Sequence, residues 1–175
     1  MVIRLVLALL CGILAWQLQH VVGLAPILAG VLCASCFLRR RDVAVVGIGA
    51  MLVRDLLVGL SGFTLVRLVG IAAVIAIVWA VRVRATLRSL LVGLGASSPV
   101  YHLILSTGDW LTQTCTKAPL TPHGFWATLM SNLPYYQRSL ISEILFTSAF
   151  LSLYALAGYL VALRWPSILP QPSRS

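Results

Sequence analysis

Six apolar stretches fill most of the 175 residues, and the arginines between them fall in alternate gaps. The stretches run Val2–Trp16, Val21–Leu38, Val43–Leu60, Thr64–Val81, Ser89–Ser106 and Ser139–Leu163. At ~1.5 Å of rise per residue each is about long enough for a hydrocarbon core of ~30 Å, the first two only marginally. Arg4, Arg39, Arg40, Arg41, Arg82, Arg84, Arg88, Arg164 and Arg174 lie at the start, in the second and fourth gaps, and in the tail. The first, third and fifth gaps hold little positive charge beyond Lys117. Positive residues stay on the cytoplasmic side, so both termini are expected inside and the number of spans even. The expected fold is an all-α integral membrane bundle of six transmembrane helices. It forms one domain over residues 1–165, with a short cytoplasmic tail at 166–175.

Composition agrees. Hydrophobic residues make up 60% of the chain and charged ones 10%, against about 25% charged in a soluble domain. The net charge of +9 does not point to nucleic acid, because no basic soluble module or aromatic-studded sheet accompanies it. Nine of the thirteen basic residues sit at the expected cytoplasmic boundary, where they suit contact with the lipid bilayer and its anionic headgroups. Arg4 before an apolar run also describes a secretory signal. No small-x-small cleavage site follows, and removing the segment would upset the charge alternation, so it reads as a span.

The fifth gap is the long one. It opens T-G-D-W at Thr107 and continues through polar residues to Pro119. Thr121-Pro122 then reads as a helix cap followed by proline at the first helical position. Phe125, Trp126, Leu129, Met130 and Leu133 recur at helical spacing, with His123, Thr128, Ser131 and Asn132 mostly opposite. The expectation is a short interfacial amphipathic helix between spans five and six, either an anchor or a lid. Trp110, Trp126, Tyr135 and Tyr136 suit the headgroup level.

Charge inside a span is costly, ~2.5–3.5 kcal/mol at the centre on insertion scales, and marks functional suspects. Arg54 and Asp55 lie near the outer end of span three, and Arg67 near that of span four. Arg138 opens span six, Glu143 lies deeper, and Asp109 caps span five. Four helices therefore bring charge to one outer third of the bundle. These groups either pair off as a structural knot, Asp55 and Glu143 with Arg67 and Arg138, or line a pocket for a polar solute. Arg54 and Asp55 project about 100° apart, so both are not expected to face one cavity. His102, beside Pro99 and Tyr101, reads as a packing histidine. Cys33 and Cys36 read as small packing residues, since Cys11 and Cys115 complete no metal-ligand spacing. No cofactor or metal is expected. The usual hydrolase, metalloprotease and phosphate-loop motifs are missing, so the chain reads as a non-enzyme. Ala8 and Gly12 on the first helix, with Cys11 and Ala15 on an adjoining stripe, permit close approach of another helix.

The stretch A-M-L-V-R-D-L-L-V-G-L (Ala50–Leu60) and the block L-P-Y-Y-Q-R-S-L-I-S-E-I-L-F-T (Leu133–Thr147) resemble a bacterial family of six-span transport proteins. T-G-D-W, A-P-I-L-A-G (Ala25–Gly30) and P-L-T-P-H-G (Pro119–Gly124) match it more loosely. That family resembles the substrate-binding membrane subunits of energy-coupling-factor importers. The resemblance implies a multi-pass inner-membrane protein with both termini cytoplasmic and a small-molecule substrate bound near the outer face. It also implies partners: a transmembrane coupling subunit, docked at Ala8 and Gly12, and ATPases. Asp55 and Glu143 fall on the family's two acids, Pro134 and Tyr135 on its Pro-aromatic turn, and Trp110 on the aromatic after span five. The residues expected at the solute are Asp55, Arg67, Asp109, Trp110, Asn132, Tyr135 and Glu143. The alternative is an assembly protein whose buried charges only fix helix packing.

Overall fold

The computed structural model describes residues 2–17, 26–81, 83 and 86–164, and every regular element among them is helical. Six helices follow in order: α1 Val2–Gln17, α2 Pro26–Phe37, α3 Arg40–Val58, α4 Phe63–Val81, α5 Leu87–Thr112 and α6 Pro122–Arg164. Of these, α4 and the stretch Arg88–Thr112 of α5 are long and apolar enough to cross a membrane. Residues 21–25 of the second expected span and the expected tail lie outside the described residues.

The short helix α2 is apolar on every side, as a helix surrounded by protein must be. Leu28, Val31, Leu32 and Cys33 are buried, and α2 packs against all five other helices. Phe37 meets Phe150 of α6 with ring centroids 5.9 Å apart. On α1 the stripe Cys11 and Ala15 turns inward. Ala15 is buried, and the Cys11 sulfur would stand 3.0 Å from a Cβ placed on Gly30. Ala8 and Gly12 lie in α1, with side chains outside the described set. Large apolar side chains such as Leu56, Leu65, Val69, Leu145 and Leu153 are exposed, a surface that would aggregate in water.

The separate interfacial helix is not found. Thr121 caps as expected, its Oγ1 accepting from Gly124 N at 3.2 Å, but the helix then runs unbroken for 43 residues with Pro134 inside it. Proline removes one backbone bond and crowds the preceding turn. Packing on α5 outweighs that cost, because both sides of Pro134 are held there. Asn132 donates to Ser106 at 3.3 Å, and Tyr136 sits edge-on to His102 at 4.9 Å.

Two glycines set the spacing of α4 and α5. A Cβ on Gly70 would lie 2.8 Å from the Tyr101 ring, and one on Gly108 only 2.2 Å from Val66. Gly108→Ala is therefore expected to lower stability by ~1–3 kcal/mol through overpacking. Gly95→Ala, with open space around it, is expected to leave stability unchanged or raise it. Thermal unfolding of the two purified variants checks this.

Candidate functional site

The α3–α4 connection brings the first charges together. Gly59, at φ 111, turns the chain, and Ser61 and Thr64 restart it as α4 through Thr64 N to Ser61 O and Ser61 N to Thr64 Oγ1. Asp55, one turn before the end of α3, then faces Arg67 on the second turn of α4. Arg67 Nη1 donates to both Asp55 oxygens at 3.0 Å, and Arg54 Nη1 donates to Oδ1 at 2.8 Å. Asp55 has no solvent exposure, while both arginines are partly exposed. The Arg67 guanidinium also lies over the Phe63 ring, 5.1 Å from its centroid. Arg54 and Asp55 do diverge at Cβ, but the long arginine stem folds back to its neighbour.

Asp109 is committed elsewhere. It ends α5 as a buried acceptor for the loop at 113–121: its Oδ1 takes Cys115 N at 2.7 Å and Thr116 N at 3.3 Å, and its Oδ2 takes Thr116 Oγ1 at 2.7 Å. Trp110 Nε1 donates to Pro119 O at 3.0 Å, and its ring meets Phe125 edge-on at 5.5 Å. Gln113, in the left-handed region at φ 53, begins this return. Asp109 and Trp110 thus tie the connection down.

The third group lies between α5 and α6. Glu143 is fully buried, and its Oε1 accepts from Ser139 Oγ at 2.9 Å. His102 Nε2 stands 3.8 Å from that oxygen, close enough for charge attraction but too far for a hydrogen bond. Glu143 Oε2, His102 Nε2, Ser98 Oγ and Thr147 Oγ1 are buried without a hydrogen-bond partner among the described residues. Of these, His102 also lines a cavity of about 300 Å³, together with Ser106, Asn132 and Tyr136 and with Leu103, Leu129 and Leu133 among its apolar walls. Tyr101 packs between the groups: its ring contacts His102 at 5.5 Å, and the charges of Arg54, Arg67, Glu143 and Asp55 all act on its hydroxyl.

The expected residues therefore separate. Asp55 and Arg67 form one ion cluster, Asp109 and Trp110 a loop tie, and Glu143 stands with His102. Asn132 lines the cavity and also bonds Asp109. Tyr135 is exposed, and its neighbour Tyr136 takes the place at the cavity. Arg138 is exposed, and among the described residues Glu143 takes no arginine. Sequence reasoning left out Ser98 and Thr147, read His102 as packing and placed Tyr136 at the headgroup level. Their signal was spacing: positions 132, 136, 139, 143 and 147 make one polar stripe on α6, facing 98, 102 and 106 on α5.

These features define a class: an all-helical protein with membrane-length helices and a buried polar pair whose histidine lines a mostly apolar cavity. The chain belongs to DUF6580, a family of unknown function, whose model matches residues 1–167. No curated protein and no solved structure matches it.

Partial burial and the neighbouring Asp109 carboxylate push the Cys115 thiol above its ordinary value, which makes it a slow nucleophile. Asp109→Ala removes both the charge and the loop tie. Alkylation of Cys115 by iodoacetamide at pH 8 is expected to speed up severalfold in that variant. Cys11, Cys33 and Cys36 are replaced by alanine so that one thiol is read.

Proposed function

We propose that this chain is a membrane-embedded substrate-binding subunit for uptake of a small molecule, with the α5–α6 cavity as its site. The observation that carries the reading is the unsatisfied polar pair His102–Glu143, whose histidine lines that cavity. Buried polar groups are normally bonded, so a fully buried carboxylate with an idle oxygen calls for a role other than packing. A mostly apolar cavity with a few convergent polar groups is the usual form of a small-molecule site. The exposed leucines and valines of α3 to α6 fit a lipid environment, and the alternating arginines fit six spans with both termini in the cytoplasm. With no ATP-binding motif in the chain, energised uptake draws on partner subunits, a transmembrane coupler and ATPases. The first helix is the proposed docking element. The family match leaves function open, and the importer assignment rests on the sequence resemblance.

A second reading, that buried charges only fix helix packing, is favoured by Asp55. Its two arginines already satisfy it, so Asp55 and Arg67 act as a structural clasp under either reading.

Affinity capture of the tagged chain from native membranes in mild detergent tests the coupled version. Co-recovery of an ATPase pair and a second membrane subunit, identified by mass spectrometry, is expected. Recovery of the chain alone, with no small molecule bound, would remove it.

A further inference from the structure

The unsatisfied atoms between α5 and α6 have a common chemistry. Asn132 meets Ser106 while Glu143 approaches His102, so the two helices run antiparallel here. Ser98 lies one turn before His102 on α5, and Thr147 one turn after Glu143 on α6. The result is a short polar ladder in which His102 approaches Glu143 and each has a hydroxyl residue one turn away on its own helix. Each of its four buried, unbonded atoms can accept a hydrogen bond. A carboxylate oxygen only accepts, a hydroxyl has free lone pairs, and a neutral imidazole nitrogen accepts along its own. The hydroxyls of Ser98 and Thr147 can also donate, so the one atom limited to accepting is the carboxylate oxygen Glu143 Oε2. Among the described residues no arginine or lysine meets it, the two arginines nearby being held by Asp55, and a buried carboxylate without a cation is strongly disfavoured.

The cavity supplies the other half of the guest's shape. Its walls are mainly aliphatic, and Tyr136 presents an aromatic ring beside His102, a surface that also attracts cations. His102 belongs both to this cavity and to the ladder. With no hydrogen bond holding its Nε2, the imidazole can turn and open Glu143 to the cavity.

We infer that the site takes a small organic ammonium, its apolar body lying between α5 and α6 and its N–H donors directed at the His102–Glu143 ladder. This rests on the capture reading above and names its class of solute. A carboxylate guest is excluded by the same ladder, since it would set a second anion beside Glu143. An alcohol of the same shape offers one donor and no charge.

The test uses the full chain in lipid nanodiscs with three matched probes: phenethylamine, phenethyl alcohol and hydrocinnamate. Binding to empty discs is subtracted. Phenethylamine is expected to bind at least about tenfold more tightly than the alcohol and to raise the unfolding temperature, while hydrocinnamate does neither. Glu143→Gln is expected to abolish the preference for the amine. Leu129→Trp, which fills the cavity without touching the ladder, is expected to block phenethylamine and phenethyl alcohol alike. Should Glu143→Gln fail to fold, Thr147→Val is expected to weaken amine binding alone. Equal binding of amine and alcohol, or a preference that survives Glu143→Gln, would overturn the inference. Amine selectivity without recovered partner subunits supports the ligand class while removing the coupled importer. Recovered partners and solute uptake without amine selectivity would do the reverse.

Discussion

A carboxylate cut off from solvent must be neutralised from within the bundle, and the two that have no exposure at all, Asp55 and Glu143, are treated differently. Asp55 is met by two guanidiniums, one delivered by the α3–α4 turn and one folded back from its own neighbour. Glu143 has a single hydroxyl donor and a histidine beyond bonding distance. In a low-dielectric interior such a difference is energetically large, because charge attraction there is weakly screened. The Asp55 cluster fastens α3 to α4 at one end of the bundle. The Glu143 pair leaves a polar demand that the packing itself does not meet. The proposed division of labour, a clasp on α3–α4 and a receptor on α5–α6, follows from that contrast.

The geometry around the cavity supports the contrast. α6 passes through Pro134 without ending, which keeps Asn132 and Tyr136 on the face that carries Glu143. The loop ahead of it is fastened by Asp109 and Trp110 and fits a fixed cap better than a moving lid. Close packing of α4 on α5 through Gly70 and Gly108 presses Tyr101 between the two charge groups. In the proposed mechanism the mobile part is therefore small: an imidazole with no bond to lose, in the wall of the cavity.

Much of this was legible in the chain before any coordinates. Hydropathy marked out apolar stretches that fall in the six helices, and Thr121-Pro122, read as the cap of a separate short helix, is the start of α6. Asp55 and Arg67 could be paired because a short turn joins their helices. Other features were hidden for physical reasons. Pro134 suggested a break, since local propensity says nothing of the α5 surface that holds both halves of α6 together. Asp109 looked like a member of a common chamber, but its partners are mostly backbone N–H groups and a threonine in the following loop, which composition cannot reveal. Tyr135 was preferred to Tyr136 on a motif match, when the four-residue step from Asn132 already favoured Tyr136. His102 looked like packing because its significance lies in Glu143, 41 positions away in the sequence.

The most direct measurement compares the folding free energies of Asp55→Asn and Glu143→Gln, each unfolded at equilibrium in mixed detergent micelles. Breaking a satisfied buried ion pair costs ~3–5 kcal/mol, so Asp55→Asn is predicted to lose stability on that scale. Glu143→Gln keeps the shape and breaks no pair with an arginine, so its stability is predicted to stay unchanged or rise. A loss at Glu143 as large as that at Asp55 would show that both acids are structural, and would contradict the assignment of the α5–α6 cavity as a binding site.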